Sequence, residues 1–532
     1  MNTSTLFACV TLSIGAALAP MLASAQLTDV SQTGPTVPGG AIAKSLEQQV
    51  GVGRGDEHTA QSSIYLVKRD PARAIRRGRQ LFQRKFTAAQ GLGPRVNANG
   101  SGEIATDKAL GAGLVDSCAG CHGRPRGAAG AGGDVLTRPD SRDAPHLFGL
   151  GLVEMLGDEI THDLRAIRAI AIAAAARTHA PVRLPLVSKG IRYGHITARP
   201  NGDIEKSEIE GVDPDLRVRP FFAQGGTISI REFINGALKA EMGLEAVDPL
   251  LCAATDPTHP AAVVTPAGMV LDPTLDRLER PAVCDTATDG DNDGVVNEVD
   301  GAAVDYMEFY LLNYFKPATG KMTAAAAEGL ARMKAIGCTG CHRQDLAIDA
   351  DRRIADVETA HDPVNGIYNR LFATITTQFV AYDDGDPYPQ LLPAGAPFVV
   401  KNIFTDLKRH DLGPAFHERN HDGTLQFQFV TEPLWGVGTT APYGHDGRSI
   451  NLEEVILRHG GEAQAARDAF AALSERGQQS VVEFLQTLVL FPPDDTSSNL
   501  NPGVPGGDPQ TEHGSIALSA LFQIPDPDGL GE

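Results

Sequence analysis

The chain has 532 residues, 42% of them hydrophobic and 21% charged, with seven cysteines and a formal net charge of −20. That length leaves room for about three domains with large cores. The acidic balance excludes bulk-charge attraction to nucleic acid or to an anionic membrane surface, and favours a basic partner such as a small positively charged redox protein acting as electron donor or acceptor.

Residues 1–25 read as a cleaved secretory signal peptide: an apolar run from Leu6 to Leu22 ends in Ala23-Ser24-Ala25 before Gln26, although the leading residues lack Lys and Arg. No other stretch approaches about 18 uninterrupted apolar residues, so no membrane span is predicted and the periplasm is the expected location. Residues 26–70, rich in Gly, Thr, Ser and Pro, read as an extended N-terminal arm. From Pro71, the spacing of Ala74, Ile75, Gly78, Leu81 and Phe82 predicts a helix leading towards Cys118-Ala119-Gly120-Cys121-His122. Gly91-Leu92-Gly93-Pro94 before that pentapeptide and the Gly-rich run Gly127 to Gly133 after it would let backbone pass close to a flat ligand.

The pentapeptide recurs as Cys338-Thr339-Gly340-Cys341-His342, after a run from Ala324 to Ala335 that reads as helix. A zinc ribbon needs its two C-x-x-C pairs close together around one S4 site, whereas these lie 220 residues apart and each is followed at once by His. A thioredoxin-like C-x-x-C sits at a strand end, not behind a helix. Two thiols that can form thioethers to one porphyrin, beside an imidazole that can bind its iron, spell a c-type haem attachment signature twice. Two covalently bound c-type haems are therefore expected, with Cys118, Cys121 and His122 holding one and Cys338, Cys341 and His342 the other. Export agrees, because bacteria complete this attachment outside the cytoplasm. Cys9 leaves with the signal, and the remaining pair, Cys252 and Cys284, is predicted to form a disulfide pinning a Pro-rich loop over 247–283.

Between the motifs, Leu147 to Leu156 is an apolar segment holding one carboxylate, Glu154. Such a glutamate either reaches the surface, pairs with an arginine, or serves as acid and base in a distal pocket. Asp158 to Arg177 reads as a further helix, and Ile228 to Met242 as a short strand followed by a helix. Asp289, Asp291, Asp293, Asn297 and Asp300 stand at positions 1, 3, 5, 9 and 12 of a loop with Gly294 at position 6, the pattern of an EF-hand-type Ca²⁺ loop; the plainer reading is a solvated acidic turn.

A second domain is expected from Asp305 to Pro493, after an N-terminal haem domain over 71–304 and before a polar Pro/Gly-rich tail over 494–532. Its strongest stretch runs from Trp435 through Thr440, Pro442 and His445 to Ser449. Next comes a helix that Asn451 can cap, with Leu452, Val455, Ile456 and His459 on one face. His459 is then either a satisfied core residue or a sixth iron ligand. No Met occurs after Met333, so a methionine ligand from the following segment is excluded. Trp435, the only tryptophan, is either plain core or a relay between the haems.

These residues resemble the bacterial di-haem cytochrome c peroxidase superfamily, and specifically its branch of di-haem oxidoreductases, over roughly residues 70 to 530. Pro442-Tyr-Gly-His-Asp-Gly447, Phe148-Gly-Leu-Gly-Leu-Val-Glu154, His410-Asp-Leu-Gly413 and Phe491-Pro-Pro-Asp-Asp carry the resemblance. It implies a mainly α fold of two cytochrome c-like haem domains with long loops and few short strands. The N-terminal haem would meet peroxide or another small oxidant, and the C-terminal haem would relay electrons. It also implies that His459 stands where the peroxidases place a methionine ligand, and that Thr440 and Pro442 match positions whose carbonyls hold an interdomain calcium. Glu154, His410, His445 and Trp435 are the candidate catalytic residues. The rival readings are a non-enzymatic di-haem electron-transfer cytochrome and a protein-modifying di-haem oxidase.

Overall fold

The computed structural model describes residues 45–93, 115–122, 142–313, 317–358, 374–420 and 422–490. The signal peptide, the arm before residue 45, the Gly127–Gly133 run and the C-terminal tail lie outside the described residues. Helices carry the architecture, as expected. Strands are short but far from few: nineteen are present among the described residues, paired two by two except for one three-stranded sheet. Most run for two to four residues, too short to leave an alternating pattern in the sequence.

The arm is partly helical, a correction to its extended reading. Helix α1 (Leu46–Val50) has Ser45 and Gln48 in a reciprocal capping box, and α2 (Ser63–Arg69) is capped by the Ser62 hydroxyl. Helices of this length bury too few turns to show a 3.6-residue period. The helix predicted from Pro71 is α3 (Pro71–Gln83), with Pro at its start and the Asp70 carboxylate accepting the Arg73 N–H. The first pentapeptide forms the short helix α4 (Cys118–His122).

The apolar segment and the Ala/Ile-rich run fuse into one long helix, α5 (Leu150–Thr178), which buries Leu152, Leu156, Ile160 and Leu164. A hairpin of Val182–Ser188 and Ile191–Ala198 packs against it. The strand expected at Ile228 is absent. Ser229 instead caps α6 (Ile230–Ala237), which continues as a wider π turn over Leu238–Met242, and the Ile228 N–H donates to the Glu232 carboxylate. The Pro-rich stretch carries the expected Cys252–Cys284 disulfide. It also holds α7 (Pro249–Ala254) and a small hairpin of Val263–Val264 with Val270–Leu271, over a minor core of Ile228, Leu251, Ala254, Met269 and Leu271.

Helix α8 (Gly301–Asn313) crosses the expected domain boundary at 304/305 and is buried on every side, against α3, α5 and α6. It belongs to the N-terminal core. Leu346, Ile348, Ile354, Val400, Ile403, Leu407 and Trp435 join that same core, so much of the strand-rich stretch after the second motif packs with the first half of the chain. The C-terminal helices, α9 (Ala324–Ala335), α10 (Leu452–Arg458), α11 (Gln464–Ala471) and α12 (Glu475–Gln486), surround a separate core of Met333, Phe404, Leu452, Phe470, Phe484 and Leu485. No helix among the described residues is long and apolar enough to cross a membrane.

Helices α9 and α12 cross in close contact because residue 329 is glycine: a Cβ there would lie 1.8 Å from the Ser480 carbonyl oxygen. Gly329→Val should force the pair apart at an overpacking cost of about 1–3 kcal/mol. A lower thermal midpoint by circular dichroism is the expected outcome, and an unchanged one would show that the helices can slide without penalty.

Candidate functional site

At the first motif, the His122 Nδ1 lies 2.7 Å from the Pro145 carbonyl oxygen, and Phe233 of α6 packs edge-on against the ring at 6.2 Å between centroids. Only Nδ1–H can make that bond, so the lone pair is on Nε2. Burial lowers the His122 pKa, which keeps the ring neutral. The second motif repeats the device. Cys338–Gly340 is a tight turn entered through Gly337, and His342 Nδ1 lies 3.0 Å from the Phe404 carbonyl oxygen. Burial, helped by the neighbouring His459, holds His342 down at about 4. Cys118, Cys121, Cys338 and Cys341 are outside any disulfide. Two thiols and one outward Nε2 at each motif form the donor set that a c-type haem requires, so these residues fit the group.

A continuous path joins the two histidines. His146 follows Pro145, and its Nε2 donates to the Trp435 carbonyl at 2.9 Å, while its Nδ1 accepts the Phe148 N–H. Leu434, preceding Trp435, donates its N–H to the Ile403 carbonyl at 3.0 Å, and the next residue, Phe404, is the one that holds His342. The Trp435 ring lies on Gly149, which has φ +76° and where a Cβ would come within 2.6 Å of the indole. Trp435 is thus both a core residue, 4% exposed, and the residue at the seam between the motifs. The strand of chain over 142–149 is laced further to the second half by an Arg142–Glu418 ion pair at 2.8 Å and by the Asp143 N–H on the His445 carbonyl.

Three histidines expected near the second motif are held differently. His459 terminates α10, and its Nδ1 lies 2.7 Å from the Val455 carbonyl oxygen, leaving Nε2 as the lone-pair nitrogen. Its helix face is only half-buried beyond Leu452, and Phe416 packs edge-on to its ring. His410 has both nitrogens engaged, by Asp406 at 2.9 Å and by Glu462 at 2.7 Å. Burial is the largest influence and opposes its charge, but Asp406 and the Cys341 thiol together outweigh it and hold the imidazole up at about 11. A doubly bonded imidazolium has no lone pair for iron. His445 stacks on Phe429 at 3.9 Å, and burial pushes it down to about 4.

Glu154 is fully buried in a separate ionic network. One oxygen pairs with Arg352 at 2.8 Å and the other accepts the Ile230 N–H at the start of α6 at 2.6 Å; Arg352 also reaches Asp158. Burial raises its pKa against the pull of Arg352. Its nearest role is an anchor between α5, α6 and the 350s segment.

Of the expected calcium-loop residues, Asp289, Asp291 and Asp293 bring one carboxylate oxygen each within 4.8 Å of one another. Asp300 stands outside this group and caps α8 through the Ala302 N–H, and the Asn297 amide oxygen is buried without a hydrogen bond. The structure adds Glu298, whose carboxyl is pushed up to about 8 by burial and by Asp291, Asp293 and Glu245. Thr440 follows the turn Val437–Thr439, and Pro442 lies beside Gly447 and Asp143. Burial, together with Asp446, pushes the Asp143 carboxyl up to about 7. His146, Asp143, Arg352 and Glu298 were missed in the sequence because each has a partner far along the chain, whereas Asp406 stands only four residues before His410 and was missed although it was within local reach.

Residues 302–488 match the family described as "Di-haem oxidoreductase, putative peroxidase". The match covers about a third of the chain and marks what this region is similar to. The di-haem oxidoreductase match takes in the second pentapeptide, His410, Trp435, His445 and His459, and ends before the first motif is reached in the other direction. No curated protein matches the chain. Among solved structures, hydrazine synthase of Kuenenia stuttgartiensis, pressurised with xenon, aligns at 15% identity over 35% of this chain and 55% of its own, with a TM-score of 0.21. The chain thus spans about half of that neighbour, and so low a TM-score supports no conclusion about fold or activity.

Glu154→Gln should break a buried pair and destabilise by about 3 kcal/mol, read as a lower thermal midpoint. A variant that melts like the parent but turns over about 100-fold more slowly would return Glu154 to proton transfer.

Proposed function

We propose that the protein is a periplasmic, peroxidase-like di-haem c-type oxidoreductase. Cys118, Cys121 and His122 would hold one covalent haem, at which peroxide or another small oxidant would be met. Cys338, Cys341 and His342 would hold the other, with His459 as its candidate further ligand, and that haem would supply electron relay from a small redox protein. The observation that carries this reading is the pairing of the two motifs: each proximal imidazole donates Nδ1–H to a backbone carbonyl, and the two carbonyls belong to segments joined at the His146–Trp435 bond.

When bound, the haems supply iron that changes its charge by one electron at a time. The chain's own residues hold them and set their surroundings. Nδ1–H bonds to carbonyls fix the ring orientation of His122 and His342 and raise the basicity of Nε2. His459 has the same arrangement through Val455, which supports it over His410 and His445 as the sixth ligand. Trp435 fills the space between the segments that hold the proximal histidines and is the relay candidate. His410, charged between Asp406 and Glu462, would place positive charge beside Cys341, and His445 is a neutral ring that shares Phe416 with His459. Calcium held at Asp289, Asp291 and Asp293, and at the Thr440 and Pro442 carbonyls, would stiffen the junction of the two haem domains.

Mass spectrometry of the denatured mature protein should show two haem additions, with one lost on replacing Cys118 and Cys121 by Ala. In the half-reduced protein, EPR should then show one high-spin, five-coordinate haem. Two low-spin haems after partial reduction would make the protein an electron carrier instead; zinc or no prosthetic group would end the reading.

The ligand assignment has its own test. His459→Met should give a methionine–iron charge-transfer band and a higher potential at the C-terminal haem. His459→Gly should leave that haem high-spin or open to added imidazole. A haem that stays low-spin without additives would move the ligand elsewhere.

A further inference from the structure

The acidic loop before α8 comes together around a residue that its repeating pattern does not name. Glu298, 3% exposed, accepts the Glu245 N–H on Oε2 at 2.6 Å, and its Oε1 is buried without any hydrogen-bond partner. One carboxylate oxygen each from Glu245, Asp291 and Glu298 lies within 4.8 Å of the others. Glu245, 4% exposed, also accepts the Gly290 N–H at 2.9 Å. Carboxylates crowded together away from water repel one another and lose hydration, and a hard cation offsets both costs.

We propose that Glu245, Asp291 and Glu298 hold a buried divalent cation, Ca²⁺, sharing Asp291 with the Asp289/Asp291/Asp293 loop. This extends the calcium reading above to two ligands outside the loop positions. The donor set is oxygen only, which suits Ca²⁺ and excludes metals that select thiolate or imidazole. The ion would join three separate pieces of chain. Glu298 packs on Gly91, where a Cβ would fall 2.3 Å from its carboxyl carbon, and the Gly93 N–H donates to the Met242 carbonyl at 3.2 Å. Ala246–Val247 pairs in parallel with Val299–Asp300, directly before α8. The cation would thus clamp the segment entering the first pentapeptide, the end of α6 and the start of α8.

The test uses the full-length haem-loaded protein, stripped with EGTA and titrated with CaCl2. Glu245→Gln and Glu298→Gln should each weaken Ca²⁺ binding by about tenfold or more, the effect of removing a charged ligand. Asp293→Asn, outside the buried triad, should weaken binding clearly less than either of them. Loss in Asp293→Asn alone overturns the proposal and keeps the loop reading, and a parent that binds no Ca²⁺ overturns both. Hydrogen exchange on the parent needs no variant: Ca²⁺ should protect residues 89–93 and 243–247 as well as 289–300. Protection confined to the loop would overturn the buried site.

Discussion

The hydrogen bond from His146 to the Trp435 carbonyl, 2.9 Å long, is the contact on which the relation of the two motifs depends. His146 sits one residue beyond the carbonyl that orients His122, and Trp435 lies one residue beyond Leu434, whose N–H bonds Ile403, the neighbour of the carbonyl that orients His342. All four acceptors in this path are backbone carbonyls, which no side-chain substitution removes, whereas three of the four donors are imidazoles and the fourth is the Leu434 N–H. Net, such a bond contributes about 1 kcal/mol, but leaving its buried carbonyl unpaired costs more. Both nitrogens of His146 are engaged, so burial and its partners hold the ring neutral and fixed, with its pKa down at about 4.

Ionic networks hold the elements that carry this path. Arg231 of α6, fully buried, meets Asp248 at 2.7 Å, Asp305 at 2.9 Å and Glu308 at 2.8 Å. A buried guanidinium requires such neutralisation, and removing one partner leaves uncompensated charge in the core. The same Asp305 accepts the Ser63 hydroxyl and pairs with Arg54, so α8 is locked to the N-terminal helices through a single carboxylate. Glu154 and Arg352 do the equivalent for α5 and the segment after the second motif. These contacts explain why α8, placed by the sequence at the start of a new domain, packs into the old one.

What the sequence made legible was local. Helix α3 begins at Pro71 as its apolar spacing predicts, α9 spans the run Ala324–Ala335 read as helix, and the Cys252–Cys284 bridge follows from counting thiols. The domain boundary was not legible, because a helix buried on all sides shows no exposed polar face, and the Arg231 that pairs with its Asp305 and Glu308 lies on α6. Glu154 appeared as a lone carboxylate because its partner Arg352 stands 198 residues away. The acidic loop showed its Asp spacing, but Glu245 comes from another element and Glu298 lies off the repeat. Sequence periodicity reports which face is buried; it does not report against what.

The two pentapeptides, alike in sequence, differ in the histidines around them, and this asymmetry supports different tasks for the two haems. Beside the first, the described residues offer His146, which has no free nitrogen. Around the second stand His410, His445 and His459, of which His459 alone combines a neutral ring, a carbonyl-bound Nδ1 and proximity to His342. His410 has both nitrogens on carboxylates, and His445 is stacked on Phe429. Under the function proposed above, a second imidazole at the C-terminal haem would leave no place for a small oxidant, whereas at the first motif the bonded His146 would leave one. The division of labour proposed there would then follow from which imidazole nitrogens the protein has left free.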